Sequence, residues 1–196
     1  VYGEDVTFTT EPQAPTVTTG AVSDIGIDFA TGNGNITDLG APNPTEHGVC
    51  WSQSANPTTA NECTTEGVVD ATGAFSSYIS GLSPNTLYYV RAYAANAAGT
   101  VYGEDVTFTT EPQAPTVTTL AVSDISTTTA IGKGEITDLG APNPTQHGVC
   151  WSQSSNPTTG DSCTSLGAVG STGIFSSALS GLLANTTYYV RAYATN

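Results

Sequence analysis

Methionine is absent from this chain, and Arg91, Lys133 and Arg191 are its only basic side chains against 17 acidic ones, a formal net charge of −14. So few cations leave no basic patch to meet phosphates, and a surface this acidic repels nucleic acid and anionic membrane alike. Neither is expected as a partner. No apolar run is long enough to cross a bilayer, so membrane insertion is not expected. No stretch holds an apolar period of 3.6 residues, which excludes long amphipathic helices. Histidine occurs only at His47 and His147 and tryptophan only at Trp51 and Trp151, so chemistry that needs clustered imidazoles has little material.

What is present is repetition. Val1–Thr19 reads VYGEDVTFTTEPQAPTVTT, and Val101–Thr119 reads the same letter for letter. A shift of 100 aligns residues 1–96 with 101–196, and 71 of those 96 pairs are identical. A repeat of this length is a common size for one independently folding domain. Short β-branched and aromatic runs alternate with polar residues between clusters of Gly, Pro, Asn and Thr, the pattern of an all-β fold with many short strands. Each repeat holds one cysteine pair, Cys50 with Cys63 and Cys150 with Cys163, 13 residues apart. An even count at equal spacing suggests one disulfide per domain, and hence an oxidising, extracellular or cell-surface compartment.

Within a repeat, Glu11-Pro12-Gln13-Ala14-Pro15 reads as a stiff linker. Thr16 opens a first strand, and a second region over 21–37 is interrupted by Gly32-Asn33-Gly34. In His47-Gly48-Val49-Cys50-Trp51-Ser52, alternation puts Val49 and Trp51 toward the core and Cys50 on the outer face, within reach of Cys63. Further on, Tyr88, Val90, Ala92 and Ala94 share one face and Tyr89, Arg91 and Tyr93 the other. The last strand is predicted over 101–110, with Val106 and Phe108 inward.

The run L-x-P-x-T-x-Y-x-V from Leu82 to Val90 resembles the corner of fibronectin type III domains, where the tyrosine packs in the core and its hydroxyl bonds back to the preceding turn. Tyr88 and Tyr188 stand at that position, with Trp51 and Trp151 as core partners. The segments HGVCWS, YYVRAYA and VYGEDVTFTT look like the tandem fibronectin type III-like (immunoglobulin-like) repeats of bacterial secreted and surface proteins. Two departures exist: Pro84 becomes Ala184, and the cysteine pair is not typical of that family. The resemblance implies tandem seven-stranded antiparallel β-sandwiches, a spacer, scaffold or adhesive role, and no catalysis.

His47 with Cys50 and Cys63 is too small a set for zinc, which takes about four ligands. Asp28, Glu46, Glu62, Glu66 and Asp70 become Thr128, Gln146, Ser162, Leu166 and Gly170, so no carboxylate site among them is kept in both copies. Asp38, Asp138 and Glu104-Asp105 stay open as loop calcium ligands near a domain junction. No G-x-S-x-G elbow is present, and Gly32-Asn33-Gly34 precedes no helix. Catalytic residues, resident metals and cofactors are therefore not expected. Tyr89, Arg91 and Tyr93, with Tyr189, Arg191 and Tyr193, form an exposed stripe that reads either as a surface ladder or as a glycan- or protein-contact face. Asn35 and Asn185 fall in glycosylation triplets, but at non-equivalent positions of the repeat.

The register predicts three parts: 1–11 as the last strand of a preceding repeat or a donor strand, 12–111 as the first sandwich, and 112–196 as a second sandwich without its own last strand. Val1, Tyr2, Val6 and Phe8 would be the donor's apolar side chains. The expected function is a structural building block of an extracellular fibre, filament or stalk, joined covalently or by donor-strand addition. Its partners would be further repeats or other copies of itself, head to tail. The alternative is an adhesive or carbohydrate- or protein-binding module of a larger secreted protein.

Overall fold

The computed structural model describes Val1 to Asn196 and contains strands and turns without a helix. It divides into two units, Val1–Glu111 and Pro112–Asn196. In unit 1 the strands are β1 (Thr16–Thr19), β2 (Phe29–Asp38), β3 (Glu46–Ser52), β4 (Glu62–Cys63), β5 (Gly73–Ser80), β6 (Leu87–Asn96), β7 (Gly99–Tyr102) and β8 (Val106–Thr109). Strand β2 runs unbroken through Gly32-Asn33-Gly34, where the sequence predicted an interruption, and pairs with β5 along its whole length. The reason is packing. A side chain at Gly34 would run into the Phe75 ring and the Ala92 methyl. The glycines thus make room for core residues rather than a turn.

Antiparallel pairing gives two sheets, β1-β2-β5 and β4-β3-β6, with β7 and β8 lying in succession along the other side of β6. Counting β7 and β8 as halves of one edge strand, unit 1 is a seven-stranded antiparallel sandwich. Its core comes from both inner faces and includes Ala30, Ile36, Val49, Ile79, Tyr88, Val90, Ala92 and Ala94, the last four being the period-two set read from the sequence of β6. The predicted single strand over 101–110 is broken at Gly103–Asp105. There Gly103 N donates to Ala92 O at 2.9 Å, and the Asp105 carboxylate accepts from Asn56 N at 2.8 Å.

Unit 2 repeats the layout with β9 (Thr116–Ser123), β10 (Thr129–Asp138), β11 (Gln146–Ser152), β12 (Ser162–Cys163), β13 (Gly173–Ser180) and β14 (Tyr189–Thr195). Its sheets are β13-β10-β9 and β12-β11-β14, so β14 is an edge strand. The linker residues are held by their neighbours. Glu111 N donates to Gly26 O at 2.9 Å within unit 1, and Gln113 exchanges two 2.9 Å hydrogen bonds with Ala141 within unit 2. Pro112 alone separates them in sequence.

Candidate functional site

Both cysteine pairs are disulfides, Cys50–Cys63 and Cys150–Cys163, and no thiol is free. Each joins directly facing residues of adjacent strands, β3 with β4 and β11 with β12. Cys50, placed on the outer face by alternation, is fully buried. Residues 53–61 fold back over that face and are anchored there, Asn56 by Asp105 and Thr59 by the Tyr102 hydroxyl, which accepts from Thr59 N at 3.0 Å.

Tyr88 is buried, and its hydroxyl accepts from Ser83 N at 2.9 Å. Tyr188 accepts likewise from Leu183 N at 3.1 Å. Trp51 and Trp151 are partly buried and pack against the cores of their units. His47 is buried, its Nδ1 donating to Gly67 O at 2.9 Å while its ring meets Phe75 edge-on. Asn35 lies in β2, the middle strand of its sheet, and Asn185 in an exposed turn. Asp38 and Asp138 each accept from a glycine N two residues on, at 2.8 Å.

The Tyr89, Arg91 and Tyr93 stripe requires a correction. Tyr93 is buried, and its single hydroxyl hydrogen lies between two acceptors, Glu46 Oε1 at 2.6 Å and Thr64 O at 2.9 Å. Arg91 lies beneath the closing segment: Nε donates to Gly103 O at 2.7 Å, and the guanidinium stands 4.8 Å above the Tyr102 ring. It also forms a 3.9 Å ion pair with Asp105. The outer face of β6 is thus covered by Tyr102 to Asp105. In unit 2, Tyr193 keeps the equivalent bond although Glu46 is replaced by Gln146. Gln146 Nε2 donates to the Tyr193 hydroxyl at 3.0 Å, which in turn donates to Thr164 O at 2.9 Å. Arg191 and Tyr189 are exposed.

The difference between the units lies along β6 and β14. In unit 1, β8 sets Phe108 opposite Tyr88 and Val106 opposite Val90, and β7 sets Tyr102 opposite Tyr93. The Tyr88 and Phe108 rings stack at 5.7 Å. Thr110 ends the segment: its N donates to Thr86 O at 3.1 Å and its hydroxyl to Ser83 O at 2.6 Å. In unit 2 the matching edge of β14 is open. Tyr188, Val190, Tyr193 and Ala194 are only partly buried, whereas Tyr88, Val90, Tyr93 and Ala94 are buried. An apolar groove of 330 Å³ lies there, bordered by Val122, Leu179, Leu182, Tyr188 and Val190. A second groove of 320 Å³ lies beside Thr119, Arg191 and Ala192.

Val1–Thr10, identical in sequence to the segment that closes unit 1, has no regular structure. Tyr2, Val6 and Phe8 are 100 %, 91 % and 88 % exposed, against 6 % for Phe108. Sequence reasoning missed the polar fastening of the closing segment by Gly103, Asp105 and Thr110. The signal is present in the sequence, because Gly3, Asp5 and Thr10 repeat them, but a surface aspartate reads as a calcium ligand or a solvated charge rather than as a fastening.

No protein-family model and no curated protein matches the chain. Among solved structures it is similar to the FN1–FN3 domains of chicken CNTN1, with 16 % identity and a TM-score of 0.36 over 95 % of this chain and 64 % of that one. It therefore spans less than two thirds of that structure. It is also similar to a two fibronectin type III domain segment of chicken tenascin, with 15 % identity and a TM-score of 0.41 over 94 % of this chain and 90 % of that one.

Proposed function

We propose that this chain is a non-enzymatic structural building block of an extracellular fibre, filament or surface stalk. Its sandwich units follow one another in series, each sealed by a VYGEDVTFTT segment that runs straight into the next unit. One observation carries the reading. In unit 1 the residues that close the sandwich, Val101–Thr110, are separated from the first bonded residue of unit 2, Gln113, by Glu111 and Pro112 alone. Closure of one unit and connection to the next are therefore the same piece of chain. A disulfide in each unit fits an oxidising compartment outside the cell.

Micrographs of extracellular material labelled with an antibody to the chain test this. Linear objects with an axial repeat of one sandwich unit are expected. Dispersed protein without linear assembly, retained on a glycan surface, would favour the adhesive reading instead. That alternative draws on exposed Tyr189 and Arg191. Their counterpart Arg91 is engaged by the closing segment in unit 1, which supports a role in closure over glycan contact.

A further inference from the structure

We propose that the outer face of strands β2 and β5 in unit 1 binds a neutral polysaccharide, with Phe29 and Tyr78 as the platform on which its sugar rings stack. This face belongs to the sheet opposite the one that carries Arg91, and the proposal stands apart from the serial-array reading.

Two aromatic rings lie in the open there. Phe29 is 36 % and Tyr78 63 % exposed, and their rings stack with centroids 5.8 Å apart and planes inclined by 27°. Period two turns both away from the core, while their chain neighbours Ala30 and Ile79 are fully buried. The fold does not require the pair. Unit 2 builds the same strand pair in the same register with Thr129 and Ala178 in their places. Two large rings side by side in solvent, which no core needs, mark a contact surface.

A third difference between the units belongs to the pair. The Phe29 ring lies on Gly26, where a side chain would collide with it. Unit 2 has Ser126 there and makes the same turn, Ser126 N donating to Thr129 O at 2.8 Å as Gly26 N donates to Phe29 O at 2.9 Å. The turn therefore does not demand glycine at 26, but the ring does. Gly26 seats Phe29, Phe29 stacks on Tyr78, and a platform fixed in advance loses little freedom when a ligand arrives.

The rest of the face selects the ligand. The outward positions of β2 and β5 carry no charged side chain, in a chain of net charge −14. Nothing there recruits a phosphate, an acidic sugar or a basic peptide. The face offers hydroxyl and amide groups instead. Thr31 faces Tyr78 and Ser80 faces Phe29 across the strand pair. Ser76 Oγ donates to Asn33 Oδ1 at 2.7 Å, and Asn33 Nδ2 donates to Ala21 O at 2.7 Å. A pyranose ring has the matching make-up: an apolar C–H face that packs on the negative face of an aromatic ring, and a rim of hydroxyls that donate and accept. From Phe29 to Asn33 the strand spans about 13 Å at ~3.3 Å per residue, room for more than one sugar of a chain laid along β2. In unit 2, Lys133 and Glu135 interrupt the corresponding face, so unit 1 is the binding unit.

Native gel electrophoresis of the 196-residue chain through hydroxyethylcellulose, galactomannan or laminarin, with alginate as the acidic control, tests this. At least one neutral polysaccharide should retard the wild type, and alginate should not. Phe29→Thr with Tyr78→Ala, the residues with which unit 2 folds, should abolish the retardation and leave the thermal unfolding of unit 1 in place. Gly26→Ser should weaken it with both rings still present. Passage of the wild type unretarded through all three neutral polysaccharides overturns the proposal. So does retardation that survives in the double variant, or equal retardation by alginate. Sedimentation velocity run alongside reads self-association: wild-type dimers that the double variant loses, without retardation, assign the face to a second copy instead. None of these results alters the axial repeat expected in micrographs, so the structural reading stands or falls separately.

Discussion

Gly103 passes so close to Thr19 that a single methyl group at the glycine would strike the threonine hydroxyl. The contact lets the closing segment cross from β7 to β8 while Gly103 N bonds to Ala92 O and Arg91 holds Gly103 O. Gly103→Ala should therefore destabilise unit 1 by about 1–3 kcal/mol, the usual cost of overpacking. Gly3→Ala, with the same local sequence and open space around it, should leave unit 1 unchanged. Denaturant unfolding of the two variants makes the comparison.

A similar pair separates Phe108 from Phe8. Phe108 is buried against Tyr88, and Phe108→Ala should cost unit 1 about 3–5 kcal/mol. Phe8→Ala should not shift the thermal midpoint of unit 1, and calorimetry on dilute protein reads both.

Each disulfide closes a short loop between facing strand residues. In the chain-entropy account a loop of this size contributes roughly 3 kcal/mol. Cys63→Ser with Cys50→Ala should lower the stability of unit 1 by about that amount and leave unit 2 alone. Urea unfolding, with the two transitions followed by exchange mass spectrometry, checks this.

Tyr93 gives a pH dependence. Burial first, then its hydrogen bond to the Glu46 carboxylate, push the phenol up to about 12 from the usual 10.0. The folded chain keeps a proton that the unfolded chain releases. This contribution to stability is whole below about pH 10 and is lost as pH rises toward about 12. Unfolding free energies of unit 1 across that window should fall, and the fall should be shallower in Tyr93→Phe. Absorbance titration should show a late phenol that the variant lacks.

Much of the fold was legible because strands write their faces into the sequence with period two. Tyr88, Val90, Ala92 and Ala94 alternate against Tyr89, Arg91 and Tyr93, and the first set does line the core. The cysteine spacing pointed to the observed pairs. What failed was what periodicity does not encode. Alternation says that Cys50 and Tyr93 leave the core face, but not that residues 53–61 and Tyr102 come from elsewhere to cover them. Gly32 and Gly34 read as a break because glycine favours turns, yet their use is to admit Val49 from the facing sheet and Phe75 from the paired strand. The division of the closing segment at Gly103–Asp105 depends on Thr19, Arg91 and Asn56, all distant in sequence. The kinship of Val1–Thr10 with the closing segment was visible as an identity with Val101–Thr110. The groove beside Val122, Tyr188 and Val190 and the close approach of Gly103 to Thr19 needed coordinates.

Cross-linking across the closing segment tests the account most directly. Val90 and Val106 face each other between β6 and β8. Because the native chain has no free thiol, a chain carrying Val90→Cys and Val106→Cys can be oxidised, and facing strand positions suit a disulfide. An intramolecular bridge between the two positions, lost when Gly103→Val is added, is the predicted result. Absence of the bridge in the folded chain, or its formation regardless of Gly103, would contradict it.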